Sequence, residues 1–87
     1  MTEQQISWMT LDKGVPIVTS DEQELGRVAE VIADAQKDIF SGLTFRHGLL
    51  GKDHFVPADL IESMTAERVR LSISSASVED KIEPYEG

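Results

Sequence analysis

Leu25-Gly26-Arg27-Val28-Ala29-Glu30-Val31-Ile32-Ala33-Asp34 is the stretch on which the fold turns. Leu25, Val28, Ala29 and Ile32 fall at i, i+3, i+4 and i+7, the spacing of one helix face. Ser20 stands where a cap would, with acidic residues in the first turn. By local propensity alone, residues 21–37 form a helix. Gly26 and the β-branched cluster Val28, Val31 and Ile32 argue the other way, because such side chains favour a pleated strand. If the segment is a strand the domain is all-β, and if it is a helix the domain is α+β.

The flanking sequence favours strands. Val15-Pro16-Ile17-Val18 is a short β-branched run, and its proline can only start a strand or lie on an edge. In Phe40 to His47, Leu43, Phe45 and His47 share one side and Thr44 and Arg46 the other. Gly48-Leu49-Leu50-Gly51-Lys52-Asp53 reads as a connection, followed by the apolar run His54-Phe55-Val56-Pro57. A hairpin with Phe45 opposite Val56 would set His47 opposite His54. Leu60 to Met64 and Arg68 to Ile73 are two further strands, tightly linked by Thr65-Ala66-Glu67. Val69, Leu71 and Ile73 alternate with Arg68, Arg70 and Ser72, as in a strand with one wet face. From Ser74 to Lys81 the alternation stops, and serine before acidic residues suggests a short helical turn, ended by Pro84. The expected core is Val28, Ile32, Leu43, Phe45, Val56, Ile61, Val69, Leu71 and Ile73.

Strands this short and closely spaced predict an all-β domain, a small antiparallel β-barrel of five to six strands with a short C-terminal helical turn. Residues 1–14 read as an N-terminal arm, 15–74 as the barrel, and 75–87 as the helical turn and an acidic tail.

The order of these segments resembles the PRC-barrel family. The resemblance rests on Val15-Pro-Ile-Val18, Leu25-Gly-Arg-Val28, Val31-Ile-Ala-Asp34, Ser41-Gly-Leu-Thr-Phe45 and Phe55-Val-Pro57. It continues through Leu60-Ile61, Val69-Arg-Leu-Ser-Ile73 and the ending Ser75 to Tyr85, and so spans residues 12–85. It implies that residues 25–34 form a strand, preceded by a turn at 20–24. The family usually has Gly in that turn, where this chain has Asp21-Glu22-Gln23-Glu24. The resemblance also implies a non-catalytic interaction module, commonly a homodimer. The family's roles in a photosynthetic complex and in ribosome maturation do not carry over to this chain. The first would need a transmembrane helix, the second a companion N-terminal domain.

Composition bounds the function. The chain has 87 residues, enough for one small core. Eight Lys and Arg face sixteen Asp and Glu, a net charge of −8, which disfavours binding to a phosphate backbone. The excess lies at the ends. Residues 1–24 carry five acids against Lys13, and 79–87 carry four against Lys81, while the middle is nearly balanced. An acidic tail keeps copies apart, or docks on a basic partner. Without cysteine there is no disulfide and no thiolate chemistry. No apolar run approaches a membrane span, and the N-terminal residues lack the pattern of a signal peptide. The expectation is a soluble cytoplasmic protein.

Candidate sites are few. His47 and His54 with Asp53 are the one group resembling chemistry, since two imidazoles and a carboxylate across a hairpin can hold zinc. The plainer reading is two ordinary histidines at a strand end. Asp21, Glu22 and Glu24 lack the spacing of a calcium loop. Gly48 to Gly51 lacks the Lys-Ser/Thr of a phosphate loop, and no catalytic Ser-His-Asp pattern stands out. Trp8 and Met9 in the arm, with Leu49 and Leu50 at the loop tip, are candidate contact residues, because Trp is favoured at interface centres. Arg27, Arg46, Arg68 and Arg70 would form a basic face only if the fold gathers them.

The resulting expectation is a non-enzymatic protein–protein interaction module with no cofactor, pairing as a homodimer and binding no nucleic acid. The alternatives are a metal- or ligand-binding protein using His47 and His54, and an RNA-associated barrel.

Overall fold

The computed structural model describes residues 5–34, 36–46 and 53–84. The disputed segment is a strand. After β1 (Pro16–Val18) the chain turns into β2 (Glu24–Asp34), the longest strand described. It continues through β3 (Ile39–Arg46), β4 (Asp53–Pro57), β5 (Ile61–Met64), β6 (Val69–Leu71) and the two-residue β7 (Glu83–Pro84). Short 3₁₀ turns occupy Trp8–Thr10, Ala58–Leu60 and Ser75–Ser77, and the last leads into helix α1 (Val78–Lys81). The expected C-terminal helical turn is therefore present.

These strands form one sheet in the order β5-β6-β1-β2-β3-β4-β7. Two expectations need correction. The sheet is mixed, because β1 runs parallel to β6. Nor is it a closed barrel, since its order ends at β5 and β7 with no ladder joining the ends. It curls nonetheless. β4 and β5 lie five positions apart in the sheet, roughly 24 Å if it were flat, yet three residues connect them. Those residues reach only about 10 Å when extended, so the sheet must bend round one core.

Bulges explain why β2 resembled a helix. Val28 lies opposite Phe45 and Glu30 opposite Thr44, which leaves Ala29 as an extra residue. The extra residue resets the alternation, so Val28 and Val31, three apart, both reach the core. A second irregularity, against β1, leaves Leu25 between the partners of Ile17 and Val18. A two-residue period interrupted by single insertions looks like a period of three to four. Ile32, expected in the core, is half-buried outside it, and Val31 takes that place.

Gly26 allows the strands to approach. A Cβ there would lie 2.7 Å from the Arg46 carbonyl oxygen and 2.9 Å from the Phe45 ring. Turn chemistry confines β2 at both ends. Before it, the Thr19 hydroxyl accepts from the Gln23 amide at 3.0 Å, and the Thr19 amide donates to the Gln23 carbonyl at 2.9 Å. Glu22 takes a left-handed φ of 66°, where a glycine would sit without strain, and its carboxylate meets Arg70 at 2.5 Å. After β2, Asp34 accepts from the Gln36 and Lys37 amides, an Asx turn that halts the strand.

The core contains Val28, Leu43, Phe45, Val56, Val69 and Leu71 as expected, with Ile61 and Ile73 packed at its margin. Leu11, Val15, Ile17 and Ile82 complete it. Thr44, expected on the wet face, is fully buried between the cross-strand neighbours Glu30 and Phe55. The β3–β4 register also differs from expectation. Phe45 faces His54 and Leu43 faces Val56, a slip of two residues that preserves which side chains point inward. It brings Arg46 opposite Asp53, whose carboxylate accepts from the guanidinium at 3.2 Å.

The arm is part of the fold. Gln5 bridges to Thr65, and the Ile6 amide donates to the Met64 carbonyl at 2.9 Å. It thus covers part of the outer edge of β5, an edge that would otherwise invite another strand.

Candidate functional site

Two surfaces stand out, and both are apolar. The first is built by the arm and the β2–β3 hairpin. The 3₁₀ turn at Trp8–Thr10 is held by Ser7, whose hydroxyl accepts from the Met9 amide and whose carbonyl accepts from the Thr10 amide and hydroxyl. This presents Trp8 to Phe40, their rings nearly parallel at 8° with centroids 5.9 Å apart. Beside them a shallow depression of about 330 Å³ runs along Trp8, Met9, Leu11, Val31 and Ala33, edged by Lys13 and Glu30. Met9 is 60% exposed, and Ile39, at the start of β3, is 51% exposed. Lys13 and Glu30 pair at 3.6 Å. The charge at the edge of the patch is thus balanced, although the chain is strongly acidic.

The second is a cleft of about 320 Å³ between the sheet and the C-terminal turn, lined by Leu25, Phe45, His54, Ser75, Val78 and Glu79. The His54 ring stacks on Phe45 with centroids 5.5 Å apart. Its Nδ1 is shut off from solvent and has no hydrogen-bond partner among the described residues.

The turn over this cleft is tied down by one carboxylate. Asp21 accepts from the Ser75 amide at 2.9 Å, from the Ser75 hydroxyl at 2.7 Å and from the Thr19 hydroxyl. Donation from the Ser75 hydroxyl, then from Thr19 and the Ser75 amide, lowers the Asp21 carboxyl to about 2. So acidic a group is a poor base for activating Ser75, and the pair serves as a clamp across the fold. This distant aspartate, and not a local serine, caps the turn, since Ser74 and Ser77 make no side-chain cap bond.

Of the candidate metal set, Asp53 and His54 point apart. Asp53 and His54 are neighbours on β4, so their side chains leave opposite faces. Asp53 lines an outer groove with Arg27 and Arg46, while His54 lines the cleft. His47 lies outside the described residues, as do Leu49 and Leu50. No group of three His, Cys, Asp or Glu side chains converges among the described residues. Nor do Asp21, Glu22 and Glu24 act together, as Asp21 binds Ser75 and Glu22 binds Arg70.

The arginines are not gathered as a free basic face. Arg27 and Arg46 are cross-strand partners, but Arg27 donates to the Gly14 carbonyl and Arg46 to Asp53. Arg70 is held by Glu22, and the Arg68 backbone closes the turn at Thr65. The cleft has no signature in the sequence because its walls come from segments some fifty residues apart. The spacing of Leu25 from Ser75 carries no local signal.

These features define a small all-β domain built on one curled sheet, with an apolar patch that exposes Met9 and Ile39 beside two half-buried aromatic rings, and an apolar cleft. The chain belongs to the family described as an uncharacterized protein conserved in bacteria (DUF2171), whose model matches residues 11–79. The match takes in β1 to β6 and leaves Trp8 and Met9 just outside. No curated protein matches the chain. No helix among the described residues is long and apolar enough to cross a membrane.

Proposed function

We propose that this domain is a non-enzymatic interaction module of PRC-barrel type, acting in the cytoplasm and pairing with a second copy through the surface around Trp8 and Met9. The observation that carries this reading is the exposed patch, with Met9 60% exposed beside the Trp8–Phe40 stack. A large aromatic held rigid at the surface supplies contact area at little entropic cost. A net charge of −8 opposes the approach of two copies. Beside the patch, the Lys13–Glu30 pair cancels locally, so this is a place where two copies can meet. The order of strands and the C-terminal turn support the PRC-barrel comparison. The engagement of Arg27, Arg46 and Arg70 with acceptors of the same chain supports a role without nucleic acid.

Sedimentation tests the reading. The expected particle is about twice the 9.6 kDa chain mass, and Met9→Asp should return it to a monomer. Trp8 is the only tryptophan, so its emission should shift red on dilution as the patch is uncovered. A monomer at every concentration from about 1 μM to 1 mM, a span covering weak and moderate affinities, would exclude self-pairing.

A further inference from the structure

The cleft under the C-terminal turn shares no lining residue with the Trp8 surface and calls for a different occupant. Its walls are apolar where Leu25, Phe45 and Val78 meet, and at about 320 Å³ it is at the small end of ligand sites. Two polar features decide what it would accept. One is Nδ1 of His54, buried and unpartnered among the described residues. A neutral imidazole has one acceptor nitrogen, and the ring's last torsion is soft enough to turn that atom toward the cleft. The other is the rim. Glu79 lines the opening, and Asp80 and Glu83 are exposed on the elements beside it, with Lys81 the one cation of that segment. The Ser75 amide and hydroxyl, the donors an anion would use, are already committed to Asp21.

We propose that this cleft binds a small hydrophobic ammonium ion. Its apolar body lies between Phe45, Leu25 and Val78, and its N–H groups are shared between His54 and Glu79. A carboxylate of the same shape would meet an acidic rim and spent donors. A neutral alcohol would keep the apolar contact but lose the charge.

The experiment is an amide-resolved NMR titration of the full chain with phenethylammonium, alongside phenylpropionate and phenethyl alcohol. Saturable shifts at Leu25, His54, Val78 and Glu79 are expected with the ammonium ion, at an affinity on the order of millimolar for so few atoms. Glu79→Gln, at an exposed position, should weaken it about two- to fivefold. His54→Phe keeps the ring stacked on Phe45 and removes the acceptor, and should weaken it about three- to tenfold. The proposal is overturned if the three probes shift the same amides equally, or if both variants bind phenethylammonium as the parent does. Shifts confined to residues away from the cleft would overturn it too.

Discussion

Replacing Gly26 by alanine tests the fold at its deciding point, because the two possible structures predict opposite signs. In a helix, Gly to Ala gains up to about 1 kcal/mol. In the sheet, the new methyl meets the Arg46 carbonyl oxygen at 2.7 Å and the Phe45 ring at 2.9 Å. The first is backbone within the β2–β3 ladder and the second a buried core ring, so neither can swing aside. Overpacking of this kind costs about 1–3 kcal/mol. Against it stands about 0.4–1 kcal/mol from stiffening the unfolded chain. The net loss should be about 1–2 kcal/mol, which in a domain of this size lowers Tm by roughly 5–15 °C. Thermal unfolding followed by circular dichroism and by Trp8 emission measures it directly. An unchanged or higher Tm would refute the close approach of β2 to β3, and with it the placement of the bulge at Ala29.

Gly42→Ala should be harsher, since φ is 154° and a Cβ would sit 2.1 Å from the Val56 carbonyl oxygen. Strained backbone and overpacking together suggest a loss of about 3 kcal/mol or more, readable as a lower urea midpoint. Phe45→Ala removes a buried ring from between Val28 and His54, and should cost about 3–5 kcal/mol in the same measurement. The Asp21 clamp predicts an acid response. Its carboxyl lies at about 2 in the fold against 3.8 when free. Its contribution is therefore complete above about pH 3.8 and fades as pH falls toward 2. Protection of the Ser75 and Ile82 amides, taken relative to their intrinsic exchange rates, should fall across that window, while Asp21→Ala should leave it low at any pH. Protection at Ser75 that ignores both the acid and the substitution would dismiss the clamp.

Much of the fold was legible because it is written in local patterns. β-branched runs broken by turn residues located the strands, and the core positions of β3, β4 and β6 followed from simple alternation. The same logic misplaced Ile32 and left β2 ambiguous, because alternation cannot register a bulged residue whose partner is on another strand. The site was less legible. Trp8 and Met9 could be suspected from residue type alone, but Phe40, which holds Trp8 in place, could not.

The order of elements, the acidic ends and the inward residues of most strands were thus determined by sequence alone, since each depends on near neighbours and on how a side chain partitions from water. Tertiary structure decided the rest. Curling one sheet round a single core set the register that faces Phe45 with His54 and Arg46 with Asp53. It also brought Asp21 to Ser75 and opened the cleft between the sheet and the C-terminal turn. Those outcomes rest on contacts between residues far apart in the chain, whose geometry no local propensity encodes.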